Sequence, residues 1–436
     1  MFLPVRFYYT AMVVIASLAM GQLWPPMFYV GVALLVLFAL VIVVDGVLLW
    51  RRRGITASRN CSSRFSNGDD NPVSIEVVND YPFAVRLNII DEIPHIFQRR
   101  DLDFPLRLRA GESAAVDYSL RPVKRGVYGF GNIRVFVSSP IGLLQRRITC
   151  HAATDVAVYP SYLMLNQYEF LAVSNNLMEM GIKRIRRVGN NTEFEQIKSY
   201  VQGDDYRHIN WKASARTHHL MVNVYTDERS QQVINVIDKG RIMQQAFAGM
   251  TILDYAINAS LVLSYVALHR DDKAGVITFA EKVSDFIKPD RGPTQMNDIL
   301  ECLYHQTTRF AESDYSTLVL NANQLIGQRS LLVLYTNFFD YTSMLRQLPY
   351  LRQLNSRHRL LVVFFIDEER QDFIKQQPHN IKDYYEHTIA AKIDHEQTLI
   401  INTLRQFGIS SLLTSPQNLS VNVINRYLEM KSRQLF

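Results

Sequence analysis

The sequence predicts a chain in three parts: two membrane-crossing helices, an antiparallel β-sandwich and an α/β domain built on a mostly parallel sheet. Three observations carry this. Two apolar runs stand near the start, Phe7–Trp24 without a charge and Met27–Trp50 broken only by Asp45. Between about Gly54 and Pro160, short stretches alternate apolar and polar residues with a period of two. Beyond residue 230, near-continuous apolar runs alternate with helical patterns, as in a sheet covered on both faces.

At 436 residues the chain exceeds one ordinary core, and its 48% hydrophobic and 20% charged residues are those of a globular protein. A net charge of +6 is modest for that length and calls for no nucleic acid. Cys61, Cys150 and Cys302 form no CxxC pair and no metal-ligand spacing, which fits a reducing compartment.

Residues 1–53 read as a transmembrane hairpin. Each apolar run is long enough, at about 1.5 Å per residue, to cross a hydrocarbon core of roughly 30 Å. Pro25-Pro26 turns the chain between them. Trp24, Phe28 and Tyr29 suit one interface, and Tyr8, Tyr9 and Trp50 the other. Arg6 and Arg51-Arg52-Arg53 flank the pair, while the short loop between the runs has no charge, so both ends are expected in the cytoplasm. Ser17–Ala19 also reads as a signal-peptide cleavage site, in which case the second run alone is the anchor. Asp45, close to the Arg triplet, is expected to snorkel toward that interface.

Residues 54–160 carry the alternating stretches Val73–Val78, Ala84–Ile90, Phe104–Arg109, Ala115–Leu120 and Ile133–Val137. With turns between them they predict a sandwich with no catalytic constellation. Residues 231–436 carry the α/β pattern. Strands are expected at Val233–Asp238, Ala274–Phe279, Leu331–Tyr335 and Leu360–Phe365. Helices are expected at Ile252–Leu268, Gln295–Tyr304, Ser343–Leu354, Ala391–Gln406 and Leu419–Met430. Ligands of such sheets bind beyond the carboxyl ends of the strands, where Asp238, Asn337, Asp340 and Asp367 fall. Acidic groups there are a candidate cradle for a hard divalent cation.

Residues 161–230 hold the most distinctive stretch, from Glu193 to Arg216. Its elements Gly203-Asp204-Asp205, Arg207, Ile209-Asn210-Trp211-Lys212 and Ala215-Arg216 closely resemble the signature of a bacterial family catalogued as domain of unknown function 58. The resemblance extends over nearly the whole chain, through Arg125-Gly126-Val127-Tyr128 and Ser139-Pro140-Ile141-Gly142-Leu143. It implies a doubly wound von Willebrand factor A-like fold for the last domain. It also implies a place in the bacterial inner membrane and partnership with an AAA+ ATPase of the MoxR type in assembling or activating a client protein. A metal-competent domain of that kind carries Asp-x-Ser-x-Ser, then a Thr, then an Asp. Here Asp238 is present, but Gly240 and Ile242 offer no oxygen-bearing side chain. Thr294 matches the second element, and Asn337, with Asp340 nearby, stands for the third. The expectation is a degenerate Mg²⁺ site without a resident cofactor.

For the signature itself, a buried or half-buried ion-pair network among Asp204, Asp205, Arg207, Lys212 and Arg216, locking the segment onto the sheet domain, is favoured over a docking surface anchored by Trp211 and an Arg. Lys183–Arg187 reads as a solvated basic loop rather than a lipid or nucleic-acid contact. His208, His218 and His219 lack the spacing of a joint metal site. No P-loop, GxSxG elbow or HExxH occurs. The expected function is therefore a non-enzymatic, membrane-anchored binding or assembly protein. A metal-dependent hydrolase using Asp238 and Asp340, and a structural envelope protein, stand as alternatives.

Overall fold

The computed structural model describes the chain apart from residues 1, 23, 52, 53, 98, 100–102, 164, 166–192, 202, 203, 205, 227–230, 309, 339, 367, 377, 379 and 434. It divides into two compact units, Met1–Ser161 and Tyr162–Phe436. The anchor and strand-rich segments fall in the first unit, the signature and α/β segments in the second.

The first unit begins with α1 (Val5–Met20) and α2 (Pro25–Trp50). They lie against each other with the rings of Phe7 and Phe38 5.4 Å apart. A Cβ on Gly31 would come 2.8 Å from Leu18 Cδ2, so the close approach depends on glycine there. Much of their remaining apolar surface is exposed, including Tyr9, Met12, Val36 and Leu40.

The strands that follow are β1 (Ile55–Cys61), β2 (Arg64–Ser66), β3 (Asn71–Asn79), β4 (Val85–Asp91) and β5 (Asp103–Leu108). After them come β6 (Ser113–Leu120), β7 (Gly126–Phe130), β8 (Ile133–Ser138), β9 (Gln145–Cys150) and β10 (Thr154–Tyr159). They form three small sheets ordered β1-β3-β6, β2-β10-β7 and β5-β4-β8-β9. The predicted alternation is realised: in β3 and β4 every second residue is buried, placing Val73, Ile75, Val77, Val85, Leu87 and Ile89 in the core. All pairings are antiparallel except β2 with β10. β1, β2, β7, β9 and β10 escape the sequence reading because their stretches are short or polar.

Asp45 corrects an expectation. It does not reach toward the arginines but is fully buried. Its carboxylate accepts from Ser139 Oγ and from the amides of Leu143, at 2.9 Å, and Leu144, at 2.8 Å. A buried carboxylate needs donors, and the turn at 139–144 supplies two amides and a hydroxyl. One turn later, the carbonyl of Leu49 accepts from Tyr81 OH (2.9 Å), and the Leu49 side chain packs in the β core.

The second unit contains a six-stranded sheet. Its strands are named after the hairpin strands β11 (Glu193–Ser199) and β12 (Met221–Thr226), which pair antiparallel. Between these lies α3 (Trp211–Thr217). The sheet strands are β13 (Gln232–Asp238), β16 (Lys273–Phe279), β17 (Val283–Asp290), β18 (Leu331–Tyr335), β19 (Arg359–Phe365) and β20 (Ser410–Thr414). A tiny separate ribbon is made of β14 (Ala246–Phe247) and β15 (Met250–Thr251). The sheet order β17-β16-β13-β18-β19-β20 is parallel except for edge strand β17.

Side chains alternate between two cores. Val233, Ile237, Val333 and Val363 face α4 (Ile252–His269), α5 (Gln295–Tyr304) and α10 (Leu419–Ser432). Ile234, Val236, Leu332 and Val362 face α6 (Tyr315–Leu325), α7 (Tyr341–Arg357) and α9 (Ile381–Gln406). The short α8 (Glu368–Lys375) lies against α9. Helix α4 is apolar enough to cross a membrane but is buried as the core helix of this unit. Helix α9 starts ten residues before the expected Ala391; its first turns are largely exposed, with Ile381, Tyr384, Tyr385 and Ile389 facing outward rather than into the core. Their N-terminus is set by an Asn380–Asp383 capping box.

Candidate functional site

In sequence order the sheet strands run third, second, first, fourth, fifth, sixth across the sheet, so the chain switches direction between β13 and β18. A crevice opens beyond the carboxyl ends of strands at such a point. Asp238, the last residue of β13, lies there in a cavity of about 80 Å³ also lined by Arg241, Ser313, Tyr315, Asn337 and Arg346. Its carboxylate is buried and saturated. Oδ1 accepts from the Gly240 amide (2.8 Å) and Ser313 Oγ, and Oδ2 from Thr336 Oγ1 (2.8 Å) and Tyr315 OH (3.4 Å). Burial raises its pKa above the usual carboxylate value, against those donors, which lower it.

Asp238 and Asn337 thus share one crevice, but the other two predicted ligands do not join them. Asp340 turns away to cap α7, its Oδ1 accepting from the Ser343 amide at 2.6 Å. Thr294 precedes α5 as an exposed residue, and the hydroxyls that meet Asp238 come from Ser313, Tyr315 and Thr336 instead. Asp367 lies outside the described residues. Mg²⁺ takes several oxygens in near-octahedral order. A single carboxylate whose acceptor sites are filled by the chain's own donors does not fit that ion. Among the described residues no three of His, Cys, Asp and Glu group closely enough to hold a metal. The sequence reading missed Ser313, Tyr315 and Thr336, which lie in no recognisable pattern. It also missed Lys239, whose buried Nζ donates to Gln306 Oε1 (2.8 Å) at an open recess of about 460 Å³.

The signature divides into a frame and a face. Asp204 accepts from Lys198 Nζ (2.9 Å) and the Val201 amide (3.0 Å), and the Lys198 contact first of all holds its carboxyl below the usual range. Asn210 caps α3 through the Ala213 amide (2.9 Å) and donates to Asn223 Oδ1 on β12 (2.9 Å). Ser214 Oγ donates to the Asn210 carbonyl (2.8 Å) and accepts from the Met221 amide (2.9 Å). His218 ends the helix in the left-handed region at φ 57°. His208 is half-buried and His219 exposed.

On this frame Trp211 is 70% and Tyr206 69% exposed, with Val201 and Leu220 also exposed. Arg207, Lys212 and Arg216 are exposed beside them, the Arg207 guanidinium 5.9 Å from the Tyr206 ring centre. The expected buried or half-buried network is therefore corrected for Arg207, Lys212 and Arg216, which are exposed. Asp204 pairs upstream with Lys198, and neither Lys212 nor Arg216 meets a carboxylate among the described residues. A short helix laid over a two-stranded ribbon has too little surface to bury so many charges together. Gly203, Asp205 and Lys183–Arg187 lie outside the described residues.

Comparison with known proteins agrees with the signature. Residues 196–399 match the model of a family described as "Protein of unknown function DUF58". The uncharacterized protein YeaD of Bacillus subtilis (strain 168) is 24% identical over 203 residues, 44% of this chain and 49% of YeaD, so the match spans about half of that relative. Among solved structures, a conserved hypothetical protein BatB from Bacteroides thetaiotaomicron covers 47% of this chain and 99% of its own, at 10% identity and TM-score 0.32. The CARDB domain of PF1109 from Pyrococcus furiosus covers 24% of this chain and 93% of its own, at 13% identity and TM-score 0.19. Residues 196–399, which take in most of the signature and of the sheet, are similar to the DUF58 family.

Proposed function

We propose that the chain is a non-enzymatic, membrane-anchored binding protein that serves protein assembly or activation, with an AAA+ ATPase of the MoxR type as its partner. Helices α1 and α2 are read as two spans of the bacterial inner membrane with the rest of the chain on the cytoplasmic side. Their exposed apolar surface and the flanking Arg6 and Arg51 support this. The sheet domain is read as a von Willebrand factor A-like scaffold that works without Mg²⁺, because the donors around Asp238 leave no ligand set for it. The observation that carries the function is the aromatic and basic face of Tyr206, Arg207, Trp211, Lys212 and Arg216. Tryptophan, tyrosine and arginine are the residues that dominate protein–protein contacts, and here a hydrogen-bonded frame holds them in water rather than in a core.

The test is affinity purification of the detergent-solubilised chain with and without ATP, beside a Trp211→Ala, Lys212→Ala variant. Both side chains are exposed, so the variant should keep its thermal midpoint. Recovery of an AAA+ ATPase with the wild type, reduced tenfold or more in the variant, supports the reading. Equal recovery with both refutes the docking face, and no ATPase under either condition refutes the partnership.

A further inference from the structure

The end of the anchor meets an arginine cluster that the docking reading leaves unused. Arg86 on β4 stands directly opposite Arg107 on β5. Like charges at opposed positions of an antiparallel pair repel, so their retention costs stability unless something neutralises them. Arg6, in the first turn of α1, joins them from the anchor. Gly142, with φ at +73°, marks the meeting point. A Cβ there would lie 3.5 Å from Arg6 Nη1 and 3.6 Å from Arg86 Nη2. None of the three arginines is paired with a carboxylate among the described residues. The Arg86 guanidinium has its pKa lowered, first by burial and then by the charges of Arg6 and Arg107.

The place of the cluster is set by hydrogen bonds. The turn carrying Gly142 is held to α2 by Asp45 through Ser139, Leu143 and Leu144. On the other side, Phe2 and Gln145 exchange two backbone hydrogen bonds of 2.9 Å, which fastens the segment leading into α1 to β9. The arginines therefore sit where the helix pair enters the β unit. Next to Arg6, α1 exposes Val5, Tyr9 and Met12, a strip of apolar surface running away from the charges.

We infer that Arg6, Arg86 and Arg107 form a binding site for the phosphate of an anionic phospholipid, whose acyl chains lie along the exposed face of α1. This rests on the membrane-anchored reading above. Guanidinium forks match phosphate oxygens, and one phosphate facing three arginines removes their mutual repulsion. The strip beside Arg6 is what selects a lipid over a soluble phosphate, and basic residues at the cytoplasmic surface favour anionic lipid.

The test uses the full chain, delipidated in neutral detergent and titrated with phosphatidylglycerol or phosphatidylcholine, with bound lipid counted by native mass spectrometry. Arg86→Gln with Arg107→Gln removes two charges and their repulsion, so the fold should persist. Lys375→Gln with Lys382→Gln, exposed in the second unit, is the control. Expected are a preference of at least tenfold for phosphatidylglycerol, its loss in the arginine variant and its retention in the control. Equal binding of both lipids, or an arginine variant that binds like wild type, overturns the site. Displacement by equimolar glycerol phosphate also overturns it, in favour of a soluble anion. Flotation with phosphatidylcholine vesicles separates the two readings: a chain that floats without lipid preference loses only this site, and one that never floats loses the anchor as well.

Discussion

Asp45, Asp91, Asp238 and Asp272 are carboxylates that the fold takes out of water, and each meets a different donor set. Asp91 holds the fully buried Arg59 in a two-point ion pair and also accepts from Tyr118 OH, whose own pKa is raised by burial and by that charge. Arg59 spends its remaining donors on the carbonyls of Ala152 (2.8 Å) and Gly131 (3.0 Å). Asp91→Ala would strand a buried guanidinium, with an expected cost of about 3–5 kcal/mol in denaturant unfolding. Replacing both partners, Arg59→Met with Asp91→Leu, should cost clearly less.

Asp238 makes a prediction about pH. Its pKa is raised in the folded protein by burial, so between the unfolded and native values the native state holds a proton that the unfolded chain has released. Stability contributed at this position should then fall as pH rises from about 4 and level off above the native pKa. Asp238→Asn removes the titration. Hydrogen exchange of the β13 amides, followed across that range, should lose its pH-dependent weakening in the variant after correction for the intrinsic exchange rate.

Among elements, α2 behaves as two segments in one helix. Its first part exposes apolar side chains on most sides, whereas its last turns belong to the β unit through Asp45 and Leu49. Helix α1, with 16 residues, is about 24 Å long. The part of α2 that precedes Asp45, Pro25 to Val44, is longer, about 30 Å. Asp45→Ala should free the amides of Leu143 and Leu144, which would then exchange at least tenfold faster, with the rest of β8 and β9 little changed. Unchanged exchange there would show that the turn holds its shape without the helix. The hairpin of β11 and β12 teaches a related lesson. Its polar residues Asp204, Asn210 and Ser214 fold the motif, and its aromatic and basic residues are what the motif presents.

For the whole molecule, division into two units predicts two separable unfolding transitions. In the second unit, Asp272 ties α10 to the sheet edge, accepting from Tyr427 OH, from Lys431 Nζ (2.9 Å) and from the Gln231 amide (3.1 Å). Asp272→Asn should lower only the second unit's midpoint and Asp91→Ala only the first's, as read by calorimetry. A shift of both transitions by either substitution would show that the units unfold together. The sequence by itself determined the two apolar helices, the change from period-two strands to buried parallel strands, and the place of Asp238 at a strand end. Each of these is written in local periodicity, because burial repeats every two residues in a strand and every three to four in a helix. Only the tertiary structure decided that Asp45 is buried, that Ser313, Tyr315 and Thr336 rather than Thr294 and Asp340 meet Asp238, and that Arg207, Lys212 and Arg216 of the signature face water. The partners in question lie 94 residues from Asp45, at Ser139, and 98 from Asp238, at Thr336. No local pattern records such a meeting: a polar side chain's role is set by the donors the folded chain brings to it.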